Sequence, residues 1–100
     1  MDIKIEKQGA KTLATLSGRL DTTNAEAFQN DITPLMEEEN PDIEIDCTDM
    51  DYTSSQGLRI FLMLQKSVTS KGGKMVMTNM KPQVKEVFDI TGFSNIIRIL

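Results

Sequence analysis

Asp42-Ile43-Glu44-Ile45-Asp46-Cys47 alternates polar and apolar residues without a break. A period of two is the mark of a strand with Ile43, Ile45 and Cys47 on one face. The period then changes. From about Gln56 to Ser70, Leu58, Phe61, Leu62, Gln65 and Val68 recur at helical spacing. Ile60, Met63 and Leu64 widen that stripe, so this helix is expected to be largely buried. Lys71-Gly72-Gly73 stops it, and Lys74-Met75-Val76-Met77-Thr78 reads as a second strand. A strand, a buried helix and a strand in this order constrain the chain to an α/β sheet with a right-handed crossover.

The flanking segments extend the pattern. Ile3, Ile5 and Lys7 alternate with polar residues, Gly9-Ala10 punctuate, and Leu13-Ala14-Thr15-Leu16 runs up to Gly18, which predicts a β-hairpin. Thr23 with Glu26 fits a capping box. The helix after it carries Ala25, Phe28, Ile32, Leu35 and Met36 on one face. Pro34 lacks the N–H that a helix interior needs, so a kink or break is expected there. Glu37-Glu38-Glu39 reads as a solvated helix end, and Asn40-Pro41 terminates the element. A third helix starts near Pro82, buries Val84, Val87 and Phe88, and ends at Thr91-Gly92. Phe93 to Leu100 reads as a short helix running into a last strand, which periodicity does not decide. The predicted fold is one α/β domain over residues 1–100. It has a mixed sheet of four to five strands packed with three to four helices.

Composition excludes several kinds of function. The 100 residues contain no His and one Cys. The commonest general base is therefore absent, as are the usual zinc sites and any intramolecular disulfide. Neither common nucleotide fingerprint is present. A net charge of −4 points away from nucleic acid and towards a basic partner surface. No apolar run approaches the roughly 18 residues that span a membrane, and the N-terminus lacks the pattern of a signal peptide. A cytoplasmic protein without cofactor, metal or catalytic residues is expected. Cys47 reads as a small buried hydrophobe.

Between the second predicted strand and its helix lies Asp49-Met50-Asp51-Tyr52-Thr53-Ser54-Ser55-Gln56-Gly57-Leu58, read as a loop opening into a helix. Hydroxyl residues before an apolar run mark a helix start. A hydroxyl there sits beside unpaired N–H groups and the positive end of the helix dipole, a place that accepts a phosphate. Phosphorylation would add about two negative charges next to Asp49 and Asp51. This reads as a switch acted on by another protein. Asp49 and Asp51 alone make no Mg²⁺ site.

Gly18-Arg19-Leu20-Asp21, Asp49 to Arg59, Gly72-Gly73-Lys74-Met75 and Val84 to Gly92 together resemble the STAS family of sulphate-transporter and anti-sigma factor antagonist domains. The resemblance runs through essentially the whole chain. It implies an anti-sigma factor antagonist that binds a serine-kinase anti-sigma factor and is switched off by phosphorylation. The family acceptor, anchored on Gly57-Leu58, falls on Ser55, with Ser54 and Thr53 ranking behind it. Ser54 stands where the family more often has Asp. The partner-binding surface implied comprises Asp21, Thr22, Asp49, Asp51, Ser54, Gln56, Gly57 and Arg59. No nucleic acid partner and no membrane insertion are implied, and the free chain is expected to be a monomer. The alternative within the family is an adaptor subunit of a lipid-transport ABC complex that works without phosphoregulation.

Each of these residues also has a plain structural reading. Ser55 can be a helix cap, with Ser54 as the other candidate for that role. Gly57 can admit a partner backbone or let the helix pack closely on a strand. Asp21 can meet a partner's cation or support a helix dipole, and Arg59 can simply flank a buried helix.

Overall fold

The computed structural model describes all residues, Met1 to Leu100. Strand β1 (Asp2–Gln8) turns at Gly9-Ala10 into β2 (Lys11–Leu20), which leads to helix α1 (Ala25–Met36). Strand β3 (Asp42–Thr53), α2 (Ser55–Ser70), β4 (Lys74–Thr78) and α3 (Pro82–Ile90) follow. A single 3₁₀ turn (Phe93–Asn95) and the two-residue β5 (Arg98–Ile99) close the chain. The five strands lie in sequence order in one sheet, with β1 antiparallel to β2 and every later neighbour parallel. This is the expected mixed α/β architecture, and Phe93 to Leu100 does form a short helical turn followed by a strand.

One face of the sheet carries the core. Ala14 and Leu16 of β2, Ile43, Ile45 and Cys47 of β3, and Met75 and Met77 of β4 are all buried. The three helices share that face. Phe61 of α2 meets Phe28 of α1 edge to face at 5.6 Å between ring centroids, and Phe88 of α3 at 6.0 Å. Leu64 lies deep in the core, whereas Met63, expected on the buried stripe, is exposed. Cys47 is fully buried, and burial pushes its thiol up to about 12. No helix is long and apolar enough to cross a membrane.

Two strands outrun their predicted ends. The strand predicted to stop at Gly18 continues to Leu20: Gly18 adopts φ 99° without leaving the strand and pairs with Met50, next to a bulge in the facing strand. The alternation of β3 ends at Cys47, yet the strand continues to Thr53. Two register shifts against β2 each add a residue to β3, so the buried positions become Cys47, Met50 and Thr53. A spacing of three conceals a strand from a period-two reading. The segment expected as a loop is therefore strand up to Thr53.

Helix α1 departs from expectation at both ends. Its N-cap is Asn24, and no side chain caps it, so the Thr23–Glu26 capping box does not form. Pro34 does not break the helix at its own position. It sits in the last turn, where only the bond to Asn30 is lost, and the helix ends at Met36. Glu38 is not solvated. Its Oε1 accepts from Lys7 Nζ and Thr12 Oγ1, both at 2.6 Å, and its Oε2 is buried without a partner. Lys71 donates to the carbonyls of Met36 and Glu38, satisfying the frayed end of α1.

Burial pushes the Glu38 carboxyl up. The hydrogen bonds from Lys7 and Thr12, with the charges of Lys7 and Lys71, outweigh burial and hold it below its ordinary value of 4.5. The unfolded chain then binds this proton more readily than the folded one, so the contribution is full above pH 4.5 and fades as pH falls through the depressed value. Glu38→Gln is expected to cost about 1 kcal/mol at pH 7. The gap to wild type should close at acid pH, as measured by urea unfolding between pH 7 and pH 3; a gap independent of pH would contradict this assignment.

Candidate functional site

The site gathers at the carboxyl ends of β2 and β3. Leu20 and Thr53 are register partners, and Ser54 N–H donates to the Leu20 carbonyl at 2.8 Å. That bond joins the loop after β2 to the start of α2. It brings Asp21 and Thr22 beside the three hydroxyls.

The three hydroxyls have separate fates. Thr53 is 3% exposed and donates through Oγ1 to the Ser54 carbonyl at 3.2 Å. Ser54 is 9% exposed and is the N-cap, its backbone extended at φ −85°, ψ 173°. Its Oγ accepts from Gly57 N–H at 3.2 Å, and its carbonyl accepts from Leu58 N–H at 3.0 Å. Ser55 is the first helical residue and is exposed. The cap is thus Ser54, and Ser55 is the hydroxyl presented to solvent.

Gly57 is buried, and its open side faces inward. A β-carbon there would lie 2.4 Å from Thr53 Oγ1 and 2.7 Å from Leu20 Cδ2. The glycine lets the first turn of α2 press onto the ends of β2 and β3. Gln56 and Arg59 project on the exposed side of that turn. With Thr22, Glu26, Gln29 and Met63 they line a groove of about 370 Å³ between α1 and α2.

Asp21 organises the loop after β2. Its Oδ1 accepts from Thr23 N–H at 3.0 Å and Thr23 Oγ1 at 2.6 Å, and its own N–H donates to Asn24 Oδ1. The two Thr23 hydrogen bonds, helped by the Arg19 charge, hold its carboxyl below the usual range. Asn24 Nδ2 in turn donates to the Arg19 carbonyl at 2.8 Å. Asp49 is exposed on β3 opposite Ser17. Asp51 is also exposed, but it is ion-paired with Lys81 from the β4–α3 connection.

Three residues of this surface escape sequence reasoning. Arg19 lies over the Tyr52 ring, 4.4 Å from its centroid, a cation–π contact at the rim of the sheet. Their adjacency depends on the second bulge, which pairs Arg19 with Tyr52, and nothing in the sequence announces it. Lys81 reaches Asp51 only because β4 lies next to β3. The acidic residues form no cluster of three or more metal-ligating side chains.

Comparison with known proteins identifies the family and the fold. The chain is 31% identical to the anti-sigma-B factor antagonist of Bacillus subtilis, over 99% of this chain and 92% of that one. An anti-sigma factor antagonist from Mycobacterium paratuberculosis superposes with a TM-score of 0.87 at 18% identity, covering 98% of this chain and 83% of that one. The Bacillus anti-sigma factor antagonist SpoIIAA superposes in its unphosphorylated form with a TM-score of 0.78 at 17% identity, covering 99% and 88%. Its phosphorylated form gives 0.72 at 16% identity, covering 99% and 91%. The STAS domain model matches residues 2–100, and the chain belongs to the STAS domain family.

Proposed function

We propose that this protein is an anti-sigma factor antagonist that docks the N-terminus of α2 on a serine-kinase anti-sigma factor and is switched off by phosphorylation of Ser55. The observation that carries this reading is the division of labour at the helix start. Ser54 supplies the cap and Thr53 is buried, which leaves Ser55 free for a kinase. SpoIIAA, which shares the fold, exists in unphosphorylated and phosphorylated forms. The antagonist of Bacillus subtilis is similar in sequence over nearly the whole of both chains.

The chemistry needs no catalytic group in this chain. Ser55 Oγ attacks the γ-phosphorus of the kinase's ATP, its proton passes to a base on the kinase, and ADP leaves. The phosphate then rests at the positive end of α2. Exposed Asp49 and Asp51 and half-buried Asp21 lie at the same end of the sheet. An interface built to accept a neutral hydroxyl would then face a dianion.

The test is to mix the protein with the serine-kinase anti-sigma factors of its own organism. A complex in ADP and a single phosphate on Ser55 in ATP are expected, read by gel filtration and by mass mapping of phosphopeptides. Phosphate on another residue, or the lack of a complex with every such kinase, overturns the proposal. Co-purification with an ABC ATPase would instead favour the adaptor role.

A further inference from the structure

We infer that the free edge of β1 is the seam of a weak homodimer in which two copies pair antiparallel through Ile5. β1 is an edge strand, hydrogen-bonded on one side only, to β2. It lacks two devices that commonly blunt an edge. There is no Pro from Asp2 to Gln8, and its register with β2 is unbroken. Ile3 and Ile5 lie on the core face opposite Leu16 and Ala14, yet the helices do not fully cover them. Ile5 remains 37% exposed. A shallow cavity of about 370 Å³ lies there, lined by Met1, Asp2, Ile3, Ile5 and Asp31.

The charges of β1 select its own copy as the occupant. Cross-strand neighbours share a face, so a continuous sheet with all helices on one side requires registers of even sum. Centring the pair on Lys4, Glu6 or Lys7 sets like charges directly opposite each other, and centring it on Ile3 pairs Asp2 with Lys4 but confines the seam to Asp2–Lys4 and leaves out Ile5. Centring it on Ile5 sets Ile5 against Ile5, Lys4 against Glu6 and Glu6 against Lys4. The ion pair that Lys4 and Glu6 make within one strand, at 2.9 Å, then becomes two ion pairs across the seam. Lys7 of the second copy, held by Glu38 and Thr12 of its own chain, falls opposite Ile3. Registers of odd sum set the core face of one strand against the outer face of the other and break the continuous sheet. With so little apolar surface, the seam falls below the roughly 1,200–2,000 Å² of a standard interface, so association depends on concentration. The seam shares no residue with the surface around Ser55, and the proposal departs from the monomer expected above.

Sedimentation velocity from about 10 µM to about 1 mM should show the wild type moving towards twice the monomer mass. Ile5→Lys should remain monomeric throughout. Lys4→Glu or Glu6→Lys alone should raise the dimer dissociation constant about tenfold, and the double reversal should restore it to within about threefold. Because Lys4 and Ile5 are exposed and Glu6 is only half-buried, melting temperatures should stay within about 2 °C of wild type, which separates lost pairing from lost folding. A wild type that is monomeric across the range overturns the inference. So does a dimer indifferent to Ile5→Lys, or a double reversal as weak as its single parents.

Discussion

Ser55→Asp is expected to weaken the complex with the serine-kinase anti-sigma factor about hundredfold while leaving the domain as stable as wild type. The two effects separate because they act at different places. Within the fold, a carboxylate at the first position of α2 is favourable, since it meets the positive end of the helix dipole and contributes up to about 1 kcal/mol. Ser54 still caps the helix, and no contact of the core is touched. At the proposed interface, the same charge would be desolvated against a surface matched to a hydroxyl, at a cost of about 2–3 kcal/mol. Calorimetric titration with the partner measures the first effect, and a thermal melt measures the second. Undiminished affinity in Ser55→Asp would remove Ser55 from the switch. Loss of affinity together with a lower melting temperature would mean that the variant acts through folding.

Gly57→Val should be the most destabilising change at the site, costing about 3 kcal/mol and lowering the melting temperature by more than about 10 °C. The β-carbon alone would stand 2.4 Å from Thr53 Oγ1 and 2.8 Å from Leu20 Cγ, and neither neighbour is at the loose end of a flexible chain. Both are buried under the first turn of α2. Relief therefore requires the helix start to lift. Lifting stretches the Ser54 Oγ bond to Gly57 N–H and the bond from Ser54 N–H to Leu20. Gly57→Ala should fall between wild type and Val, because better helix propensity returns up to about 1 kcal/mol. A valine variant that melts within about 2 °C of wild type would show that the strand ends yield more easily than these distances imply.

Legibility from sequence followed regular periodicity. The parallel β3–α2–β4 unit was readable because Ile43, Ile45 and Cys47 alternate and Leu58, Phe61 and Val68 repeat helically before Gly72-Gly73. It failed where the period changed. Two bulges put Met50 and Thr53 in the core at a spacing of three, and a twelve-residue strand read as six residues and a loop. Gly18 reads as a stop, yet it stays within β2 at positive φ, opposite the bulged part of β3. Glu38 reads as part of an acidic helix end, because its partners Lys7 and Thr12 come from the two strands of the first hairpin, far away in sequence. At the site, local chemistry was sufficient to find the helix start and its three hydroxyls. Sorting cap from exposed hydroxyl needed the geometry of Ser54. Arg19 against Tyr52 and Lys81 against Asp51 are long-range juxtapositions, and composition carries no trace of them.

Three of the four phenylalanines give the molecule a particular kind of memory. Phe61, on the helix that begins with Ser55, is wedged between Phe28 and Phe88 and so belongs at once to all three helices. Tilting α2 would unseat two ring contacts together, and a close-packed interior resists small continuous deformations. On the proposed function, a phosphate at the tip of such a helix would be held as a mark on a rigid tablet: the frame would keep its shape, and the partner would read the mark as a sign of charge.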